Sequence, residues 1–121
     1  MLISFFCKKG GVGKTTVTGE FAGYLTSLGK KVLIISIDDQ NSVFEMFGRS
    51  VSVFENDSNY LEHYVAGACQ MEDVLIPMRD NLFAVKTLNT DMLSKKLTLE
   101  RTFEKQFVAA VDRLQGEFDY T

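Results

Sequence analysis

The sequence is short of the residues that build disulfide frameworks, metal sites and rigid loops. Its 121 residues include two cysteines, one histidine, one proline and no tryptophan. Cys7 and Cys69 are too few and too far apart for a disulfide framework or a zinc knuckle, so we interpret both as reduced thiols of a cytoplasmic protein. His63 has no second ligand or nucleophile near it in the sequence, which favours a surface or helix-capping role over catalysis.

Long apolar runs and a strong charge imbalance are also missing. No apolar run approaches the roughly 20 residues that span a bilayer, and the apolar start at residues 1–7 is too short for a signal peptide core. The net charge of -3 argues against a dedicated nucleic-acid-binding surface in these residues. With 45% hydrophobic residues, the chain can form one globular unit with a buried core.

Strand-like and helix-like segments alternate from the amino end. Residues 2–7 and 32–37 are apolar runs typical of parallel strands that are covered on both faces. Between them, residues 15–28 carry large apolar side chains at helical spacing, and Gly29 is placed to end this helix. These side chains are Val17, Phe21, Leu25 and Leu28. Strand, helix and strand of these lengths predict a right-handed βαβ unit with a parallel sheet.

Downstream of residue 37 the pattern predicts three short helical pieces, a third strand, one long helix and the start of a fourth strand. These elements cover, in order, residues 43–47, 60–67, 70–76, 81–86, 91–115 and 118–121. We expect Pro77 to end the third helical piece and Gly116 to end the long helix.

The segment between the first strand and the first helix, residues 8–16, is rich in glycine and lysine. Its glycines let successive backbone N–H groups converge on one point, where the helix amino end adds partial positive charge. Such a loop cradles phosphates, with Lys14 expected to reach the β- and γ-phosphates and the Thr15 hydroxyl expected to ligate Mg²⁺. We therefore predict a Mg·ATP site at this loop. Its binding residues are Gly10, Gly11, Val12, Gly13, Lys14, Thr15 and Thr16.

The loop departs from the common pattern G-x-x-x-x-G-K-[ST], because Lys8 stands where the first glycine is expected. The form K-G-G-x-G-K-T, with the second lysine Lys9, resembles the deviant Walker A motif of the ParA/MinD family of dimerising ATPases. The resemblance implies that Lys9 reaches across an ATP-sandwiched homodimer to the partner's nucleotide, and that Thr16 lies near the α-phosphate. It also implies an α/β P-loop NTPase fold of three layers, α/β/α, around a mostly parallel sheet.

A polar segment follows the second predicted strand, at the edge where open α/β sheets bind their ligands. An aspartate at this place can orient Mg²⁺-bound or attacking water. The segment is similar to the family's switch I, D-x-D-P-Q-G-N, in which Asp38 matches the second Asp, the one tied to hydrolysis, and Gln40 matches the Gln. Ser36 replaces the first Asp and Asp39 replaces the proline. A helix cap or a turn residue is the alternative interpretation of Asp38.

The resemblance covers the whole chain and implies that residues 1–121 are the N-terminal part of a single P-loop ATPase domain. In the family an apolar Walker B strand would come next, so we expect the domain to be truncated before it. A sheet without its next strand exposes edges and apolar helix faces. A protein of only these residues is therefore expected to oligomerise or to belong to a longer polypeptide.

The function implied by the resemblance is a slow, nucleotide-dependent ATPase that dimerises around ATP and acts in plasmid or chromosome partitioning. Its catalytic residues would be Lys9, Lys14 and Asp38. Its partners would be a second copy and, in the full-length form, DNA or a DNA-bound adaptor rather than a membrane. Two alternatives stay open. One is a membrane- or polysaccharide-linked kinase or regulator built on the same loop, and the other is a nucleotide-binding module with little hydrolysis.

Overall fold

The computed structural model describes residues 1–4, 14–37, 42–47 and 59–121 of the chain. The helices in these residues are α1 (Lys14–Ser27), α2 (Ser42–Met46), α3 (Leu61–Val65), α4 (Met71–Val74), α5 (Thr90–Leu99) and α6 (Arg101–Gln115). The strands are β1 (Val32–Ile35), β2 (Ile76–Arg79) and β3 (Leu82–Val85). Helix α1 and strand β1 are the second and third elements of the predicted βαβ unit. Of the predicted first strand, residues 2–4 form no regular strand and residues 5–7 lie outside the described residues.

The three strands form one mixed sheet in the order β1-β3-β2. β1 and β3 are parallel, with Val32 opposite Leu82 and Ile35 opposite Val85, and β2 runs antiparallel to β3. The two parallel strands are continuous apolar runs because helices cover both of their faces.

The chain ends extend this sheet on the far side of β1. Tyr120 forms a parallel bridge with Val32, so the predicted strand start at residues 118–121 appears as a single pairing. The next residue, Thr121, exchanges backbone hydrogen bonds with Met1 (2.9 Å) and Ile3 (2.8 Å). This alternating pattern is that of a parallel ladder, and it places the amino-terminal residues beside the carboxyl end of the chain.

Two apolar clusters, one on each side of the sheet, make the molecule a three-layer α/β/α structure. Alternate residues of β1 point to opposite faces, so Leu33 packs with α3 to α6, whereas Val32 and Ile34 pack with α1 and α2. The predicted three-layer arrangement is therefore observed. No helix in the described ranges is long and apolar enough to cross a membrane.

Strand β2 was not predicted. The helical piece expected over residues 70–76 ends at Val74, and the chain then enters an exposed strand that contains Pro77. A proline lacks the N–H that a central strand needs, but an edge strand tolerates it, and the register shifts between Pro77 and Arg79. The tight turn into β3 is made by Asn81 at φ 63°, a left-handed conformation that asparagine adopts more readily than most residues.

Helix α1 ends as predicted but buries a different face. Gly29 follows the helix at φ 79°, which glycine adopts without a steric penalty. The predicted inward stripe is wrong, because Val17, Phe21 and Leu28 are 49%, 38% and 56% exposed. Of that stripe, only Leu25 is buried.

Small residues form the face of α1 that packs inward. Gly19 and Ala22 are buried there. A Cβ atom on Gly19 would collide with the side chain of Met46 in α2, and one on Gly23 would lie 2.5 Å from the guanidinium of Arg79 in β2. The spacing of the large apolar residues therefore predicted the wrong buried face. The observed face has small residues because α1 packs close to α2 and β2 there.

The long helix predicted over residues 91–115 is two helices. The chain leaves helical geometry at Glu100, with φ -116° and ψ 99°, and Gly116 then caps α6 as expected. Leu93 and Phe103 lie in the same apolar cluster. In one straight helix their ten-residue separation would place them about 15 Å apart along the axis. The break lets α5 and α6 pack against each other as well as against the sheet, which one straight helix could not do.

Candidate functional site

The amino end of α1 points toward the carboxyl edge of the sheet. Residues 28–31 alone join α1 to the start of β1, and α1 packs along that strand through Ala22 and Leu25. The helix therefore runs antiparallel to β1, and its first turn lies where β1 and β3 end. That turn has the sequence Lys-Thr-Thr-Val and carries no acidic residue that would neutralise the positive helix end.

The predicted site residues divide into two groups. Lys14 and Thr15 are the first two residues of α1, and Thr16 is exposed in its first turn, so the helix begins directly after the glycines as predicted. The others lie outside the described residues. They are Lys9, Gly10, Gly11, Val12, Gly13 and Asp38. The N–H groups at a helix start lack partners within the helix and suit an anion such as a phosphate, so the start of α1 fits the phosphate part of a nucleotide.

Two threonines hold the backbone that leads from β1 to Asp38. The Ser36 N–H extends the parallel ladder by donating to the Val85 carbonyl at 3.0 Å. Beyond it, the Thr87 hydroxyl donates to the Ser36 carbonyl at 2.6 Å, and the Thr90 hydroxyl donates to the Ile37 carbonyl at 2.7 Å. Side chains from the segment after β3 therefore replace the ladder where β1 has ended.

Residues 86–90, which carry both threonines, are themselves attached to the start of α3. The Glu62 carboxylate accepts the N–H of Leu88 at 2.9 Å and that of Asn89 at 2.9 Å. The Lys86 carbonyl accepts the Leu61 N–H at 2.8 Å. These bonds attach residues 86–89 to a helix on one side of the sheet.

A buried lysine lies in the same place. Lys86 follows β3 directly and is only 1% exposed, with its Nζ 4.5 Å from the centre of the Tyr60 ring. Such a geometry gives a cation–π attraction that is stronger away from water. Sequence reasoning missed Lys86, Thr87 and Thr90. The available signal was their position, because Lys86 ends the predicted strand and Thr87 and Thr90 come after it, at the ligand-binding edge.

His63 and Cys69 have the modest roles expected of them. The His63 Nδ1 accepts the Tyr60 N–H at 2.9 Å, so this histidine caps the start of α3. Burial, and to a smaller extent the charge of Asp73, raises the pKa of the Cys69 thiol, which keeps it protonated at neutral pH. Within the described ranges no group of three or more His, Cys, Asp or Glu side chains could hold a metal ion.

Comparison with known proteins gives a consistent set of relatives. A family model described as an AAA domain, AAA_31, matches residues 1–121. The putative arsenical pump-driving ATPase 2 of Aquifex aeolicus is 33% identical over 95 residues, which cover 77% of this chain and 31% of that protein.

Solved structures share the fold over nearly the whole chain. A cobyrinic acid a,c-diamide synthase from Mycobacterium smegmatis with bound ADP and magnesium superposes with a TM-score of 0.79 at 20% identity, covering 98% of this chain and 48% of that one. A plasmid partition protein from Borrelia burgdorferi gives 0.75 at 22% identity, covering 98% and 53%. The chain thus spans about a third of the Aquifex relative and about half of each solved chain.

Proposed function

Because the chain belongs to the AAA_31 family of AAA domains, which are ParA/MinD-like ATP-binding P-loop NTPases, we propose that it binds Mg·ATP at the carboxyl edge of its sheet and hydrolyses it slowly. The family and the α/β P-loop fold predicted from the sequence are confirmed. The observation that carries the proposal is the start of α1 at Lys14, directly after the glycine-rich loop and at the edge where the parallel strands end.

Each loop residue has a role in this proposal. The backbone of residues 10–13 cradles the phosphates, Lys14 contacts the β- and γ-phosphates, and Thr16 lies near the α-phosphate. Thr15 ligates Mg²⁺, and Asp38 acts on the ion through a water molecule. The ADP and magnesium bound to the Mycobacterium smegmatis enzyme of the same fold support this choice of ligands.

Hydrolysis in this site depends on positioning and charge. The Mg²⁺ ion supplies charge stabilisation to the phosphates when it is bound. Lys14 neutralises developing negative charge, and Asp38 orients the attacking water. Since a carboxylate is a weak base, these residues accelerate the reaction only modestly, and turnover is slow.

A second copy completes the site in the working form. Lys9 reaches the nucleotide of the partner, so ATP stabilises the homodimer and hydrolysis releases it. Residues 1–121 form the N-terminal part of one ATPase domain. The likeness to a plasmid partition protein and the resemblance to ParA/MinD support a role in DNA partitioning in the cytoplasm, with DNA or a DNA-bound adaptor as the stimulating partner.

A nucleotide-binding module with little hydrolysis is the second candidate. One observation favours it. The half-buried Ser36 stands where the family's switch I has its first aspartate, which removes one carboxylate from the surroundings of the Mg²⁺ ion.

Single-turnover hydrolysis with the full-length protein, with and without double-stranded DNA, separates the two candidates. We expect slow release of phosphate that DNA accelerates. Tight ATP binding with no phosphate release in either condition would favour the binding module, and phosphate release that DNA leaves unchanged would contradict the partitioning role.

A further inference from the structure

The route from β1 to Asp38 depends on hydroxyl groups. The parallel ladder between β1 and β3 supports the backbone as far as the Ser36 N–H. The next two carbonyls, those of Ser36 and Ile37, accept hydrogen bonds from Thr87 and Thr90. Asp38 follows Ile37 directly in the sequence, so these two bonds are the last described attachments before it.

The two threonines have different surroundings, which makes them separately testable. Thr87 is completely buried, and its 2.6 Å bond to the Ser36 carbonyl lies inside the protein. Thr90 is half-buried and is the first residue of α5, where the preceding Asn89 caps the helix by accepting the Met92 N–H at 2.9 Å. The Thr90 hydroxyl is therefore not part of the helix cap, which Asn89 makes.

The segment that carries the two threonines is itself held by hydrogen bonds. Glu62 holds the N–H groups of Leu88 and Asn89, which lie between Thr87 and Thr90 in the chain. A hydroxyl on such a fixed segment defines where its acceptor carbonyl lies. Phosphoryl transfer is sensitive to this kind of placement, because a shift of about 1 Å at a catalytic group can lower the rate by about 100-fold.

We infer that Thr87 and Thr90 are positioning residues for ATP hydrolysis, because their hydroxyls fix the backbone carbonyls of Ser36 and Ile37 immediately before Asp38. The inference rests on the proposed function and adds two residues to it. Neither threonine touches the nucleotide in this role. Both act through the chain that carries Asp38, so their loss changes the hydrolysis rate and leaves ATP affinity unchanged.

The test compares Thr87→Val and Thr90→Val, which remove the hydroxyl and keep the side-chain shape, with Thr87→Ser and Thr90→Ser, which keep the hydroxyl. Thr98→Val is the matched control, because the Thr98 hydroxyl donates to the Ser94 carbonyl at 2.9 Å within α5, away from the site. Each variant is made in the full-length protein and assayed for ATP affinity by calorimetry and for single-turnover hydrolysis. Amide hydrogen exchange of the peptide containing residues 36–41 is measured without nucleotide.

We expect each valine variant to hydrolyse ATP about 10- to 100-fold more slowly, with ATP affinity unchanged. Its 36–41 peptide should exchange about tenfold faster than in the wild type, since local opening costs less once a hydrogen bond is lost. The serine variants should show the wild-type hydrolysis rate and the wild-type exchange rate of this peptide, and so should Thr98→Val.

Three results would overturn the inference. Wild-type hydrolysis and exchange in both valine variants would refute the threonine role alone, because the proposed function would remain. Serine variants as slow as the valine variants would mean that side-chain volume matters instead of the hydroxyl. A wild-type protein that binds no ATP would refute the proposed function, and the positioning role with it.

Discussion

At the residue scale, Glu62 joins two parts of the chain that are distant in the sequence. Its two oxygens accept the Leu88 N–H at 3.1 and 2.9 Å, and one of them also accepts the Asn89 N–H at 2.9 Å. Hydrogen bonds to a carboxylate are stronger than those between neutral groups. This half-buried side chain therefore stabilises the turn that carries Thr87 and Thr90.

Replacing Glu62 should destabilise the protein measurably. We expect Glu62→Ala to lower the free energy of unfolding by about 1–2 kcal/mol, because two amides lose an ionised acceptor and water replaces it only partly. Glu62→Gln keeps one acceptor oxygen and should cost less. Urea unfolding of the full-length protein measures the difference. Glu117→Ala, at an exposed position in the turn after α6, is the control, and an equal effect of the two alanine variants would contradict this role.

Residues with distinctive chemistry were easier to predict from the sequence than residues whose role is a contact. Lys14, Thr15 and the glycines could be proposed from their order alone, because a phosphate loop needs those residue types at that spacing. Thr87 and Thr90 could not be assigned, since a threonine hydroxyl has no signature until the fold brings it to a particular carbonyl. The roles of all the predicted site residues remain predictions, and Lys9, residues 10–13 and Asp38 lie outside the described residues.

At the element scale, one glycine inside α1 and one just after it differ in the backbone conformation that they adopt. Gly23 lies in the helix interior, where an added Cβ would lie 2.5 Å from the guanidinium of the exposed Arg79 side chain, which sits over the Phe47 ring. Gly29 lies just after the helix at φ 79°, with no heavy atom within 4 Å of an added Cβ. Space therefore permits alanine at Gly29 directly and at Gly23 once the Arg79 guanidinium moves aside.

Alanine substitutions at these positions should shift stability in opposite directions. We expect Gly23→Ala to raise the free energy of unfolding by about 0.5–1 kcal/mol, because alanine favours a helix interior over glycine. Gly29→Ala should lower it by about 1–2 kcal/mol, because a left-handed conformation strains any residue with a Cβ. Chemical denaturation of both variants measures these shifts. A destabilised Gly23→Ala would show that Arg79 cannot move aside.

Element boundaries show where sequence patterns lose information. β1, β3 and α2 were predicted within two residues of their observed ends, and β1 and β3 were the clearest because each is a compact apolar run. β2 was missed because Pro77 indicates a helix end equally well. The break at Glu100 was missed because the apolar spacing continues through it, and the contact between α5 and α6 that the break allows leaves no signal in the sequence.

At the scale of the whole molecule, the layered sheet brings the start of α1 and the ends of β1 and β3 to one edge. That edge is where the proposed nucleotide lies, and Lys9 is proposed to extend from it toward a second copy.

We expect Lys9→Ala in the full-length protein to leave ATP binding to the monomer unchanged. It should weaken ATP-dependent dimerisation by at least about tenfold, since a desolvated charge contact to phosphate is lost. Analytical ultracentrifugation with a non-hydrolysable ATP analogue measures the dimerisation affinity of both proteins. Undiminished dimerisation of Lys9→Ala would refute the role across the dimer.

The central claim is that the loop before α1 holds the triphosphate of Mg·ATP. Calorimetric titration of Mg·ATP into the full-length protein tests it most directly, with Lys14→Ala as the variant and Lys105→Ala, an exposed lysine on α6, as the control. We predict saturable binding to the wild type and to Lys105→Ala, and no detectable heat of binding with Lys14→Ala. Wild-type affinity in Lys14→Ala, or no binding of Mg·ATP to the wild type, would contradict the account.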